Sequence, residues 1–417
     1  MTDPPFESAR LASFARAAHG RGTKATDRAW TKLTRRGVPL IEPIRGDRTK
    51  HLVTFVWRPS DRATSPSIYT PIADFTRGET ALQPVGTTGV WYRSFRLSRK
   101  TRASYGFSSR PMPALTDDEK AWGRYQRSVR PDPLNPSRLS FPKDPDDPSD
   151  SAMVFSLVAL PGAAPQLWCD AREPSQWREE CHRIRSNILR NTRSVWVYLP
   201  SDFDPRDRRY NLLLVFDGPV YRETVPTPTI VENLVAAGRL SATVVALVGN
   251  APHARSKDLL QNPAFPDFLA RELLPWLRRR YRLRVEPSRT VLAGSSMGGL
   301  ASAFAALRYP RLFGNALVQS GSFQIPEKAP ASLMEQFSRA PRLPLRFYLD
   351  AGTHEKMVPR GWPASLLGSV RHMRDVLVAR GYPVAYTEFE GGHDYACWRG
   401  TLADGLIHLL GRSEKAT

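Results

Sequence analysis

The C-terminal half of the chain repeats one pattern: a short apolar run closed by a turn, then a segment with helical spacing. The runs are RSVWVYLP, YNLLLVFDG, SATVVALVG, RTVLAGS and PLRFYLDAG. They are nearly continuous in apolar residues, which suits strands buried on both faces of a parallel sheet. The segments FPDFLARELLPWLRRRY, GGLASAFAALRYP and SVRHMRDVLVARGY space their apolar residues as helices do. Strand and helix in alternation predict an α/β sheet whose active groups stand at the carboxyl ends of the strands.

From Leu52 to about Leu160 the pattern is different. HLVTFVWRP and GVWYRSFRLSRKTRASYGF are rich in aromatic and β-branched residues, and Gly86, Gly89 and Gly106 punctuate them. Short strands with little helical periodicity predict a β-sandwich. Residues 1–50 look partly helical and basic. The stretch Arg130 to Asp150 is dense in proline and aspartate and reads as an irregular connector.

Bulk composition narrows the function. The chain has 417 residues, 60 Lys and Arg against 40 Asp and Glu, and a net charge of +20. That balance points to an anionic partner. No zinc-finger, RNA-recognition or basic-zipper signature accompanies it, so nucleic acid is not the expected partner. Cys169, Cys181 and Cys397 are too far apart in sequence for a disulfide framework or a zinc site, and no metal is expected. The first residues lack the apolar core of a secretory signal, and no run reaches the ~18 apolar residues of a membrane span. A cytoplasmic protein without membrane partners is expected.

At one strand-to-helix junction stands GSSMG, residues 294–298. This fits G-x-S-x-G, the sharp turn that exposes a central serine at the top of an α/β-hydrolase sheet. Flanking glycines remove side chains from the tight bend, and Ala301 and Ala305 let the next helix approach the sheet. Ser296 is the expected nucleophile. Ser320 and Ser322, in VQSGSF, lack this spacing and read as turn residues.

A serine hydroxyl needs a base and an orienting acid, which follow it in the order Ser, Asp or Glu, His in this fold. His393, in EFEGGHDYACW, occupies the place of the base. His354 is its rival, while His372 and His408 lie in helical patterns. YLDAGTHEK offers Glu355 in the loop and Asp350 at the strand end as the acid; loop freedom favours Glu355. The oxyanion hole should use Met297 N–H and a second amide from FDGPVYR. Pro219 has none, so Gly218 or Val220 supplies it, with Gly218 preferred.

These stretches, with RSKDLLQNPAF, ELLPWL and EGGHDYACWRGTL in the C-terminal half and VTFVWR, SYGF and DPLNP in the N-terminal half, resemble the enterochelin (enterobactin) esterases. The resemblance runs from about residue 30 to near the end. It implies an enterochelin-esterase-type β-sandwich domain over 31–160, a linker over 161–190 and an α/β-hydrolase catalytic domain over 191–417, while residues 1–30 read from their composition as a basic arm. It further implies a serine esterase that opens the trilactone of an imported ferric catecholate siderophore. Iron then enters only as part of the substrate, and no cofactor is needed. The resemblance supports Ser296 and His393, places the acid at Glu355, and puts Arg255 and Asn262 near the catechol-bearing substrate. By itself Arg255 reads as a surface charge. The chain departs from the family in its long basic arm, in Pro219, and in Asp350 where relatives carry Glu. Two alternatives are an esterase of carbohydrate-linked acyl groups with a glycan-binding sandwich, and a non-catalytic siderophore-binding protein.

Overall fold

Residues 6–20, 22–60, 65–114, 119–171, 177–207, 210–324, 332–358 and 361–411 are described in the computed structural model. They divide into two units. The first comprises Met1–Leu139, Val154–Ala164 and Glu390–Ala396; the second comprises Ser140–Met153, Pro165–Phe389 and Cys397–Thr417.

The first unit opens with helices α1 (Ala9–Ala18) and α2 (Gly22–Thr34). Strands β1 (Leu40–Ile44), β2 (Asp47–Trp57), β3 (Ser67–Tyr69), β4 (Gln83–Pro84), β5 (Trp91–Ser98) and β6 (Arg102–Ser108) follow. Helix α3 (Glu119–Gln126) and strands β7 (Arg138–Phe141) and β8 (Met153–Ala159) complete its elements. The strands form two sheets, β1-β2-β5-β4 and β3-β6-β8-β7. Val53 and Phe55 of β2 meet Ile68, Tyr105, Phe107 and Val158 of the other sheet, which makes the expected sandwich. Phe55 packs edge-on against Tyr105 at 4.7 Å between ring centroids, and Trp57 stacks on Phe107 at 5.4 Å.

Side chains alternate along a strand, so Val56 faces the other way. It packs with Leu11, Phe14 and Leu33 from the first two helices. The described part of the basic arm expected over residues 1–30 is helical and covers the outer face of the first sheet. Each of these buried side chains contributes roughly 1.5–3 kcal/mol. The hydroxyl of Ser8 caps α1 by accepting Leu11 N–H at 3.0 Å.

The second unit contains β9 (Arg178–Ser186), β10 (Asn191–Leu199), β11 (Asn211–Phe216), α4 (Gly218–Glu223), α5 (Thr227–Ala236) and β12 (Thr243–Val248). Next come α6 (Arg255–Leu259), α7 (Ala264–Phe268), α8 (Leu274–Tyr281), β13 (Thr290–Ser295), α9 (Met297–Arg308), β14 (Asn315–Gln319) and α10 (Leu333–Arg339). Strand β15 (Arg346–Gly352), α11 (Leu366–Ala379), β16 (Val384–Phe389) and α12 (Tyr395–Leu410) end the chain. The sheet order is β16-β15-β14-β13-β11-β12-β10-β9. Strands β11 to β16 pair in parallel, while β10 runs antiparallel to β12 and β9 to β10. This is the expected mostly parallel α/β-hydrolase sheet. Every residue of β11, β12 and β13 is buried, in keeping with the apolar runs they carry.

The linker expected over residues 161–190 is also revised. Arg178–Ser186 is a full edge strand, paired with β10 from Arg178↔Leu199 to Ser186↔Asn191. Its sequence REECHRIRS hides it, because charged residues are what an edge strand carries to deter further pairing. Just before it, the carbonyls of Trp168 and Asp170 accept Asn233 Nδ2 at 3.0 and 2.9 Å. The connector Arg130 to Asp150 holds a strand and a buried anchor, Asp146, which accepts Ser194 N–H at 2.5 Å.

Candidate active site

Strand β13 ends at Ser295 and α9 begins at Met297, so Ser296 alone makes the bend. Its backbone has φ 56° and ψ −122°. A side-chain-bearing residue holds such a conformation at a cost of about 1–3 kcal/mol, and only where its surroundings dictate it. Here Ser296 N–H donates to Gln319 C=O at 2.9 Å, and its own C=O accepts from Ser322 N–H and Leu300 N–H at 3.1 Å. The glycines are demanded by space. A Cβ on Gly294 would lie 2.8 Å from the carbonyl carbon of Gly298, and one on Gly299 would lie 2.9 Å from Val318 Cγ1. Met297 is the first residue of α9, where backbone amides face outward and favour negative charge.

Ser322 is brought to the nucleophile, with its Oγ 3.0 Å from Ser296 Oγ. It is buried, and the sequence reading left it in a turn. Only its place past a strand end at the same sheet edge signals it.

The two candidate acids differ in kind. Asp350 lies fully inside β15, and its Oδ1 accepts Ser320 N–H at 3.0 Å. Burial pushes its carboxyl up to about 8; the Thr401 hydroxyl opposes this and the Glu355 charge adds to it. Glu355 stands in the loop past β15. Its Oε2 accepts Gly352 N–H at 2.9 Å, its N–H donates to Gly352 C=O at 3.0 Å, and its C=O accepts Leu367 N–H at 3.0 Å. The loop carboxylate is thus held by a tight turn, while the strand carboxyl is part of the core.

At the end of β11, Asp217 adopts the left-handed conformation, φ 57° and ψ 48°, and leads into α4 through Gly218. A Cβ on Gly218 would come within 3.0 Å of Gly249 N, Val248 C and Trp196 Cζ3. Val220 N–H donates to Asp217 C=O at 3.1 Å, so of the two alternative oxyanion donors it is already engaged. Arg255, expected near the substrate, grips Asp217 with Nε at 2.6 Å and Nη2 at 2.7 Å, and Asn250 Nδ2 adds a bond of 2.9 Å. Burial works against the Asp217 charge; the Arg255 guanidinium overcomes this and holds the carboxyl below its usual range. A Cβ on Gly298 would lie 3.5 Å from Asp217 Oδ2, so this ion pair abuts the first turn of α9. Asn262 is half-buried, and its Oδ1 accepts Ala264 N–H at 3.0 Å to start α7.

A second ion pair fixes the other end of α6. Asp258 accepts Arg193 Nη2 at 2.6 Å, and both are buried. The guanidinium lies over the rings of Phe268 and Phe265 at 5.1 and 5.6 Å. These pairs join residues far apart in sequence, and no local pattern announces them.

His393 stands in the segment Glu390–Ala396 of the first unit. It is exposed, between buried Gly392 and buried Asp394. Among the described residues no group of three or more His, Cys, Asp or Glu could hold a metal ion, and no helix is long and apolar enough to cross a membrane.

Comparison with known proteins agrees with this architecture. The esterase family matches residues 186–409, and the family described as enterochelin esterase, N-terminal, matches residues 52–169. The iron(III) enterobactin esterase of Dickeya dadantii is 30% identical, covering 91% of this chain and 92% of its own. The crystal structure of ferric enterobactin esterase from Salmonella typhimurium is 26% identical with a TM-score of 0.72, covering 92% of this chain and 98% of its own. The Shigella flexneri enterobactin esterase, determined in the presence of 2,3-di-hydroxy-N-benzoyl-serine, is 25% identical with a TM-score of 0.69, covering 89% and 95%. With both domains matched and a relative at this identity across nearly its whole length, the chain is a carboxylic ester hydrolase and belongs to the enterochelin esterase family.

Proposed function

We propose that the chain hydrolyses the trilactone esters of a ferric catecholate siderophore of the enterobactin type, with Ser296 as nucleophile, His393 as general base and Glu355 as the orienting acid. The observation that carries this is the strained backbone of Ser296 at the bend between β13 and α9, in a chain whose relatives are enterobactin esterases. In the reaction His393 takes the proton of Ser296 as its Oγ attacks a lactone carbonyl. The oxyanion is received by Met297 N–H and Gly218 N–H, at the start of α9 and α4. The intermediate collapses to an acyl-enzyme as the ring alkoxide leaves with the proton from His393. Water, deprotonated by the same histidine, then releases the acid and restores the serine.

Glu355 is preferred over Asp350 because a carboxyl kept neutral by burial near pH 7 cannot stabilise an imidazolium. Arg255 serves mainly through Asp217, steadying the loop that carries Gly218. Asn262, which starts α7, orients the segment beyond α6 towards the substrate. The chemistry needs no cofactor; iron arrives as cargo, and opening the ring lowers the effective concentration of the three catecholates around it. A ferric tris-catecholate is an anion, which the net charge of +20 would steer. We place the reaction in the cytoplasm.

The test is chromatography of the products from ferric and iron-free enterobactin, with the wild type and Ser296→Ala side by side. Linear trimer, dimer or monomer from the wild type alone is the expected result. Cleavage by Ser296→Ala at the wild-type rate, or no cleavage of either form by the wild type, overturns the proposal.

A further inference from the structure

Two residues at neighbouring strand ends carry strained backbones. Ser296 follows β13, and Ser320, just past β14, has φ 45°. A residue with a side chain keeps such a conformation only where its surroundings dictate it, and around Ser320 they do. Its N–H donates to Asp350 C=O and to Asp350 Oδ1, both at 3.0 Å, and its Oγ accepts Trp398 Nε1–H at 3.0 Å. Gln319, the last residue of β14, accepts Ser296 N–H on its C=O at 2.9 Å. The Gln319 side chain is held in turn by the Tyr221 and Thr401 hydroxyls at 2.7 Å and by the Trp398 carbonyl at 2.8 Å. A Cβ on Gly321 would fall 2.6 Å from Val318 Cγ1 and 2.7 Å from Phe323 Cε2, so the turn closes tightly. Across it stands α9, where a Cβ on Gly299 would lie 3.2 Å from Gly321 Cα. This turn delivers Ser322. Its N–H donates to Ser296 C=O at 3.1 Å, it is buried, and its Oγ stands 3.0 Å from Ser296 Oγ. All of these residues belong to the second unit.

We infer that Ser322 is a second catalytic hydroxyl, which donates its hydrogen to Ser296 Oγ whenever that oxygen gains negative charge. The inference rests on Ser296 being the nucleophile and deepens that reading. The direction of the bond follows from the chemistry. Ser296 must aim its own O–H at the base that removes it, so its oxygen is left to accept. The hydrogen on the 3.0 Å line is then that of Ser322. In the first half-reaction Ser296 Oγ bonds to the ester carbonyl carbon, its proton passes to the base, and the carbonyl π pair moves to the carbonyl oxygen. As the proton leaves, charge builds on Oγ before the new bond absorbs it. In the second half-reaction water, deprotonated by the base, adds to the acyl carbon. The carbon–Oγ bond then breaks, its electron pair returns to Oγ, and Oγ takes back a proton from the base. Charge builds on the same oxygen again, and the Ser322 O–H meets it both times while keeping its own proton. The tightly built turn matters because a donor set in place beforehand needs no reorganisation during reaction. A hydrogen bond to a charged oxygen is worth roughly 10- to 100-fold in rate.

The experiment compares the wild type, Ser322→Ala, Ser322→Cys and Ser296→Ala in the full chain, with thermal melts recorded beside the kinetics. Attack is read alone as the rate of inactivation by a p-nitrophenyl phosphonate, in which an Oγ–P bond forms and p-nitrophenolate leaves. The second half-reaction is read as the steady release that follows the burst of p-nitrophenolate from p-nitrophenyl acetate. Peptide mass spectrometry locates the phosphonate adduct. Expected for Ser322→Ala is an adduct on Ser296 formed roughly 10- to 100-fold more slowly, with steady release slowed by a similar factor and KM within about threefold of wild type. Ser322→Cys keeps a side chain of similar shape with a weak donor and should lose at least about fivefold in both rates. It carries the test should the alanine variant melt early. Wild-type rates in these variants, or a raised KM with phosphonylation unchanged, overturn the inference. Ser296 still stands as nucleophile in that case if it carries the adduct and Ser296→Ala is inactive. An adduct on Ser322, or full turnover in Ser296→Ala, overturns the reading of the nucleophile and the inference with it.

Discussion

Replacing Arg255 with alanine strips Asp217 of its two guanidinium bonds and leaves only the 2.9 Å bond from Asn250. Asp217 is 3% exposed, so its charge cannot turn to water. Breaking a buried pair from one side costs about 3–5 kcal/mol. The Arg255 side chain is 32% exposed, and water filling part of its place brings the expectation to the lower end, about 3 kcal/mol. In a domain of this size, at about 2–4 °C per kcal/mol, that is a fall in Tm of roughly 6–12 °C near pH 8. The pH dependence separates this cause from general loosening. In the wild type the folded carboxyl titrates below its unfolded value of ~3.9, so its contribution is fully present above that pH and is lost as pH falls through the folded value. In Arg255→Ala, burial dominates and the folded value rises above the unfolded one. The folded variant then takes up a proton on acidification, and its deficit shrinks from pH 8 towards pH 5. Adding Asp217→Asn removes the stranded charge and should recover part of the Tm at pH 8. Calorimetry of the three proteins at pH 8, 6.5 and 5 decides the matter. A deficit independent of pH, or a double variant no more stable than Arg255→Ala, refutes the reasoning. Turnover of a small ester should also drop by about tenfold or more, since Gly218 follows Asp217 directly. A variant altered only in KM for ferric enterobactin would instead make Arg255 a substrate contact alone.

Asp350→Asn tests the neutral carboxyl. With its folded value raised to about 8, wild-type stability from this group falls as pH rises from about 4 to about 8, and the asparagine variant should lack that slope and retain esterase activity; calorimetry across this range and a kcat measurement check both. Glu355→Gln, by contrast, should lower kcat by about 100-fold or more with little change in KM, as steady-state kinetics on a small ester would reveal. Gly294→Ala forces a Cβ to 2.8 Å from the Gly298 backbone, so it should cost about 1–3 kcal/mol and reduce kcat, read by chemical denaturation and by the rate of inactivation with a serine-directed phosphonate. Phe14→Ala empties a fully packed site between α1, α2 and the first sheet; a loss of about 3–5 kcal/mol, localised to that unit by hydrogen exchange, is expected.

How much of this was legible in the sequence follows from the range over which each signal acts. β11, β12 and β13 were readable because burial on both faces favours apolar runs: LLLVF and VVALV in the first two and VLA before the glycine of the third. The serine bend was readable because sterics within five residues, Gly294 to Gly298, demand glycine. β9 was not, since an edge strand gains its stability from backbone pairing and carries charge on its side chains. The partner of α1 was not readable, because Leu11, Phe14 and Ala18 on its inner side meet a sheet formed later in the chain.

The supporting residues of the site were hidden for a different reason. Asp217 and Arg255 are separated by 38 positions, and Arg193 and Asp258 by 65. Each is an ordinary polar residue in its own stretch, and its role exists only once the fold has removed water from around its partner. The nucleophile and base advertise themselves because their chemistry restricts the residues next to them. A carboxylate that holds a loop restricts only a distant backbone amide or guanidinium. Motif reading therefore finds the atoms that react more readily than those that hold them still, and in this chain Asp217 does that holding at the loop of Gly218.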